Sequence, residues 1–351
     1  TGMNDTKHSV FLRTADLSRF AETAPNPNTN VTTDSGLSVE MKTYYDDRLI
    51  DLAQPLLIHD QFGQKRPIPK NGGKTIEFRK YAPLAKATTA LTEGVTPDGK
   101  KLSVSKIEAT VKQYGDYVTL SDILLLTAID NNLVQAQNLL GNQAGLTLDT
   151  ITRDILVTGT NVQYHEGEVD SRANLVGGAE SGNHYMTVKA IKMAVRALKN
   201  QNAPKINGDY VGIIHPDTAF DLTDDPEWKY PHQYVDTENI YSGEIGKIAG
   251  VRFVETTEAK KILNAGKNNT TASQRDVYCT LILGSNAYGV TEVNGGGLEF
   301  IVKQLGSSGT ADPLNQRATA GWKATKTAEI LVDQYMVRVE TTSTFNDHEA
   351  N

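Results

Sequence analysis

The residue groups in this chain whose types could do chemistry fail, one after another, on spacing. Gly72-Gly73-Lys74-Thr75 ends like a phosphate-binding loop. That motif needs a glycine at position 68 and a helix afterwards; Ile68 stands there instead, between Pro67 and Pro69, and an alternating strand pattern follows. Gly243, Gly246 and Gly250 lack dinucleotide spacing and a preceding strand. Of seven histidines, His165 (beside Glu166 and Glu168) and His232 offer isolated ligands, and no two stand at the spacing of a helical metal pair. They read as solvated loop residues. Asp221, Asp224 and Asp225 cluster after Phe220. Grouped carboxylates can move protons or bind calcium, but the calcium-loop pattern is missing, so a turn or helix cap is expected. Cys279, the one cysteine, lies in the apolar run Val277–Leu283. It forms no internal disulfide and reads as an inert core thiol. Ser285 in Gly-Ser-Asn-Ala-Tyr-Gly does not match a nucleophile elbow. No catalytic residue, cofactor or metal is expected, and the chain reads as a non-enzyme.

The elements that would position a site are unusual in one place. Ile76 and Phe78 alternate with Thr75, Glu77 and Arg79; Ile107, Ala109 and Val111 alternate with Lys106, Glu108 and Thr110. Both stretches have strand period. Between them lies a long polar connection whose tip is expected at Thr96-Pro97-Asp98-Gly99-Lys100. Such a ribbon buries too little apolar surface to hold itself, so it is expected to lie on another subunit.

After Ser121-Asp122, Leu125, Ile129, Leu133, Ala136, Leu140, Ala144, Leu148, Ile151 and Ile155 recur at helical spacing. This predicts a strut of about 50 Å if unbroken, with Gly141 and Gly145 as weak points. Residues 1–36 read as an extended arm with a short helical piece at Val10–Glu22, and 37–62 as a helix. Residues 159–183 and 260–275 read as polar exposed loops, and 216–245 as irregular turns. Thr187–Asn200 reads as an amphipathic helix; Tyr210–Ile214, Gly250–Glu255, Val277–Leu283 and 298–304 read as strands. Ala318–Thr342 reads as two more strands, expected to pair beside the strut. The result is a discontinuous domain, 37–158 with 294–345, carrying an insert at 159–293; no repeat is present.

Composition narrows the class. The chain has 351 residues and a net charge of −7, which disfavours sequence-independent gripping of a phosphate backbone. Counted with Gly and without Tyr, the apolar share is about 42%, just under the ~45–50% usual for globular chains, as extended arms would produce. No apolar run is long enough for a membrane helix, and the N-terminus lacks a signal-peptide pattern.

An ordered set of segments carries a resemblance: Gly73–Tyr81, Leu91-Thr92-Glu93-Gly94-Val95, Tyr114-Gly115-Asp116-Tyr117-Val118, Ile214-His215-Pro216-Asp217, Gly246–Glu255 and Ala320-Gly321-Trp322-Lys323. Over residues 37–343 the chain resembles the major capsid proteins of tailed phages, in the family named after coliphage N-four. The resemblance implies an α+β Hong Kong 97-type capsid fold. Its parts would be an N-terminal arm (1–36), a peripheral domain (37–158 and 294–345) with an extended loop (65–118) and a spine helix (121–158), an inserted axial domain (159–293) and a tail (346–351). It implies a subunit of an icosahedral shell of hexamers and pentamers around double-stranded DNA, without sequence-specific binding. Implied partners are further copies, a scaffolding protein, a portal and a decoration protein, the last on 159–183 and 260–275. Implied places are the virion and, for assembly, the host cytoplasm. The expected inter-subunit contacts are the loop charges Arg79, Lys80, Lys86, Glu93, Asp98, Lys100 and Lys101. Some relatives crosslink Lys to Asn; Lys86, Lys100 and Lys101 are in reach of a neighbour, but no motif marks an acceptor. An encapsulin-like cargo shell and an enzyme of unrecognised type are the alternatives.

Overall fold

The computed structural model describes residues 29–30, 58–82, 84–91, 93–96, 98–128, 132–178, 182–228, 244–269, 273–292, 297–307 and 312–351. The helical piece at 10–22 lies outside these residues, as does the helix over 37–62 except for 58–62, which form a turn. The chain divides into two compact units: residues 1–48, 117–137 and 301–321, and residues 49–116, 138–300 and 322–351.

In chain order, β1 is Thr29–Asn30, β2 Gln64–Lys65, β3 Thr75–Tyr81, β4 Val104–Thr110 and β5 Lys112–Ser121. Ser121 caps α1 (Asp122–Thr127), its hydroxyl accepting from the Leu124 N–H at 3.2 Å. α1 stops at Ala128, whose ψ of 139° is extended. α2 then runs Asn132–Leu156. The strut is therefore broken once, and its main piece is about 37 Å long at 1.5 Å per residue. The break falls beside Asp130-Asn131-Asn132, residue types that favour caps over helix interiors. It does not fall at the glycines, and α2 passes through Gly141 where the Phe300 ring lies over it.

β6 (Val162–Tyr164) and β7 (Val176–Gly177) are short. α3 (Val188–Asn200) follows with Thr187 as its cap, bonded to the Ala190 N–H. β8 is Tyr210–Ile214, and α4 is Pro216–Asp224. β9 (Glu244–Ile248), β10 (Val251–Glu255), β11 (Lys261–Asn268), β12 (Gln274–Leu283), β13 (Tyr288–Thr291), β14 (Glu299–Lys303), β15 (Arg317–Ile330) and β16 (Met336–Thr341) complete the chain.

One sheet has the order β1-β5-β15-β13-β2, with β14 on β15. The larger one runs β6-β16-β12-β8-β10-β9, with β11 on β12 and β7 on β11. β3 and β4 form a ribbon by themselves. The larger sheet is covered on both faces, so its central strands read as unbroken apolar runs. Tyr210 and Ile214 of β8 join Ile191, Val195 and Leu198 of α3 in one core. Val211 and Ile213 face the other way, against Leu156, Leu281 and Tyr288.

Four expectations need correction. β16 does not stay with β15 beside the strut; it pairs with β12 and β6. All six of its residues are buried, as a strand covered on both faces requires, whereas β15 alternates through most of its length. The polar stretch 260–275 is not wholly a free loop, because β11 fills half of it and pairs with β12. Residues 216–245 contain α4, announced by His215 as cap and Pro216 in the first turn, and the start of β9. Residues 159–183 are not simply an exposed loop: among the described ones, Leu175 is fully buried and β6 and β7 pair in the larger sheet. The tail 346–351 is docked: Asp347 accepts from the Lys261 ammonium at 2.6 Å, and the Asn351 amide donates to the Thr257 carbonyl at 2.9 Å.

Candidate inter-subunit interface

β3 and β4 pair in register from Thr75↔Thr110 to Tyr81↔Val104. Because side chains alternate across a strand, the ribbon has two faces of different kind. Ile76, Phe78, Ile107 and Ala109 share one, with Phe78 and Ala109 buried. The Phe78 ring and Leu331 crowd β13 at Gly289, where an added Cβ would lie 3.1 Å from Phe78 Cζ. An open groove of about 380 Å³ remains beside this contact, lined by Gln64, Arg66, Phe78, Lys80 and Leu331 among others. The other face carries Glu77, Arg79, Lys106 and Glu108. Arg79 donates to Glu77 at 2.8 Å, and Lys106 pairs with Glu108 at 2.5 Å and Glu77 at 3.9 Å. The Arg79 hydrogen bond holds the Glu77 carboxyl below its ordinary range. Backbone bonds close the ribbon at both ends: the Val111 N–H donates to Lys74 O, and the Ala82 N–H to Ser103 O.

Beyond that base the described residues of the arm touch nothing of their own chain that buries them. Every described residue from 79 to 106 is exposed. Leu91 is 77% exposed and Leu102 69%, and Leu84 and Val95 are similarly open. A Cβ added at Gly94 or Gly99 would meet nothing within 4 Å. A turn sits at Glu93-Gly94, with Gly94 at φ +79°; the tip expected at 96–100 includes Pro97, which lies outside the described residues. Of the expected contact residues, Arg79 is engaged by Glu77 within the chain, and Lys80 lines the groove. Lys86, Glu93, Asp98, Lys100 and Lys101 are exposed. A further signal was legible but unread. Residues 64–112 hold eleven Lys and Arg against four Asp and Glu, net +7 in a chain of −7, leaving −14 on the rest.

The other chemical candidates are absorbed by the fold. Cys279 is buried in β12, which pushes its thiol up to about 12. The Asp225 carboxylate accepts from the Val188 N–H at the start of α3, so the cap reading holds for that residue. Asp221 receives the Thr344 hydroxyl at 2.6 Å; burial raises its carboxyl. The loop-histidine reading fails for His59 and His165, both buried because a carboxylate satisfies each: His59 Nδ1 lies 2.7 Å from Asp149, and His165 Nδ1 2.8 Å from Glu168. The fold also brings His184 to 4.0 Å from Glu168, a grouping invisible along the chain. The ligand atoms of His165, Glu168 and His184 lie within 4.8 Å of one another. The Val176 N–H donates to His184 Nδ1, which leaves the proton on the nitrogen facing Glu168.

This mixed arrangement of helices and sheets matches the Hong Kong 97-type capsid fold. Residues 152–306 match the family described as phage capsid protein. Solved structures agree. The capsid of Ralstonia phage GP4 is 14% identical, covering 88% of this chain and 97% of that one, with a TM-score of 0.67. The cyanophage Pam1 capsid subunit is 12% identical over 88% and 98%, TM-score 0.67. The cyanophage P-SCSP1u capsid is 13% identical over 91% and 98%, TM-score 0.62. A search of curated proteins finds no match.

Proposed function

We propose that the chain is the major capsid protein of a tailed phage, a non-catalytic subunit that assembles into an icosahedral shell of hexamers and pentamers. The observation that carries this is the arm: Leu84, Leu91, Val95 and Leu102 face solvent on a segment with no core of its own. Holding each residue extended costs about 1–2 kcal/mol of backbone entropy, and nothing in the subunit offsets it beyond the ribbon base. A neighbouring copy would, by burying the four apolar side chains and pairing Lys86, Glu93, Asp98, Lys100 and Lys101. The eight-stranded sheet with α3 and α4 is the axial domain, completed by β16 and the tail. The net charge of −7 suits a shell that confines double-stranded DNA without gripping it. A scaffolding protein and a portal assist assembly in the host cytoplasm.

The test is deletion of residues 84–104, followed by size-exclusion chromatography and negative-stain microscopy. The expected product is folded subunits that form no shells. Full-size shells from the deletion would overturn the proposal.

A further inference from the structure

We propose that His184 is the proton-sensitive pin of a latch that fastens the segment between β6 and α3 to the edge of the larger sheet. The latch is a set of reciprocal bonds. The His184 N–H donates to Val176 O at 2.8 Å, and the Val176 N–H donates to His184 Nδ1 at 2.8 Å. Thr342, just past β16, closes the set: its N–H donates to His184 O at 3.0 Å and its hydroxyl to Val176 O at 2.9 Å. One strand end, one loop and one ring thus share four bonds.

The arrangement works in one protonation state only. An N–H aimed at Nδ1 requires a lone pair there. Protonating His184 places a second donor against the Val176 N–H, and one of the two must give way. The neighbourhood opposes that proton. The His165 ring lies 5.1 Å away, itself buried, with Nε2 unpartnered and its backbone in the left-handed region at φ +48°. Glu168 pulls the other way from 4.0 Å. The remaining nearby charges are committed: Glu166 to Lys189 and Thr187, and Glu340 to Arg172 and Arg338. Burial, then His165, hold the His184 imidazole below its ordinary 6.5. A histidine depressed in the folded state contributes stability above its unfolded value. That stability is lost as pH falls below 6.5 toward the folded value.

Amide exchange of the full chain, corrected for intrinsic rates, reads the latch at Val176. Protection should fall by up to about tenfold between about pH 7.5 and 5.5, the most that linkage allows one histidine whose open-state value is 6.5. In His184→Asn, whose side-chain oxygen replaces the acceptor without titrating, protection should stay level across that range. In His165→Asn, which tolerates the same backbone, the transition should move to higher pH. A level wild-type profile, or an equal fall in His184→Asn, would overturn the latch. Should the variants fail to fold, nitrogen-15 shifts of the wild-type imidazole decide: a proton on Nδ1 at neutral pH refutes the proposal.

Discussion

At the residue scale, the buried polar groups are committed to partners whose loss has a definite cost. Glu340 is fully buried and accepts two bonds from Arg172 and one from Arg338, which is itself buried. Glu340→Ala leaves the Arg338 cation without its carboxylate and should destabilise the chain by about 3–5 kcal/mol; thermal unfolding checks it. Cys279 offers the opposite case. A thiol held at about 12 inside β12 carries almost no thiolate at neutral pH, so alkylating reagents should modify it only as fast as the chain unfolds. Rapid labelling of the native protein would contradict the burial. Gly115 tests close approach: an added Cβ would lie 2.5 Å from the Trp322 carbonyl oxygen. Gly115→Ala should therefore cost about 1–3 kcal/mol by forcing β5 and β15 apart.

At the element scale, the ribbon divides into a base that belongs to the subunit and an arm that does not. The base is fastened by Phe78 and Ala109 against the body. Phe78→Ala should lower stability by about 3 kcal/mol or more and expose β3 to limited proteolysis. The arm deletion should leave the melting temperature nearly unchanged, because the removed residues bury nothing in the subunit. The last ribbon pair that survives the deletion is Lys80 with Ser105, so residues 81–83 are left as a short connection between the strands. If the two variants lost equal stability, the division into base and arm would be wrong.

At the scale of the whole molecule, charge is sorted as sharply as apolarity. A ribbon region of net +7 on a chain of −7 favours contact between the ribbon of one copy and the acidic remainder of another. Such attraction is screened when the Debye length falls from about 10 Å at 0.1 M salt to about 3 Å at 1 M. Assembly followed by light scattering should therefore weaken with salt. The triple substitution Lys86→Glu, Lys100→Glu, Lys101→Glu should prevent assembly even at low salt. Assembly that ignores both changes would assign the contact to Leu84, Leu91, Val95 and Leu102 alone.

Local pattern was enough for the ribbon strands and the α3 helix. Each of these depends on neighbours within a few residues, where periodicity and capping act directly. The resemblance supplied the capsid fold on the same local segments. Pairings at long range were not legible. β16 could have joined either sheet on its own pattern, and only coverage of both its faces decided between them. β11 looked like a loop because its stability comes from backbone bonds to β12 rather than from apolar side chains. His165 and His184 lie nineteen positions apart, and their meeting depends on how the chain between β6 and α3 folds back. What the sequence determined was the elements and the arm without a core; the tertiary structure alone decided which sheet each strand entered, and which buried polar groups met.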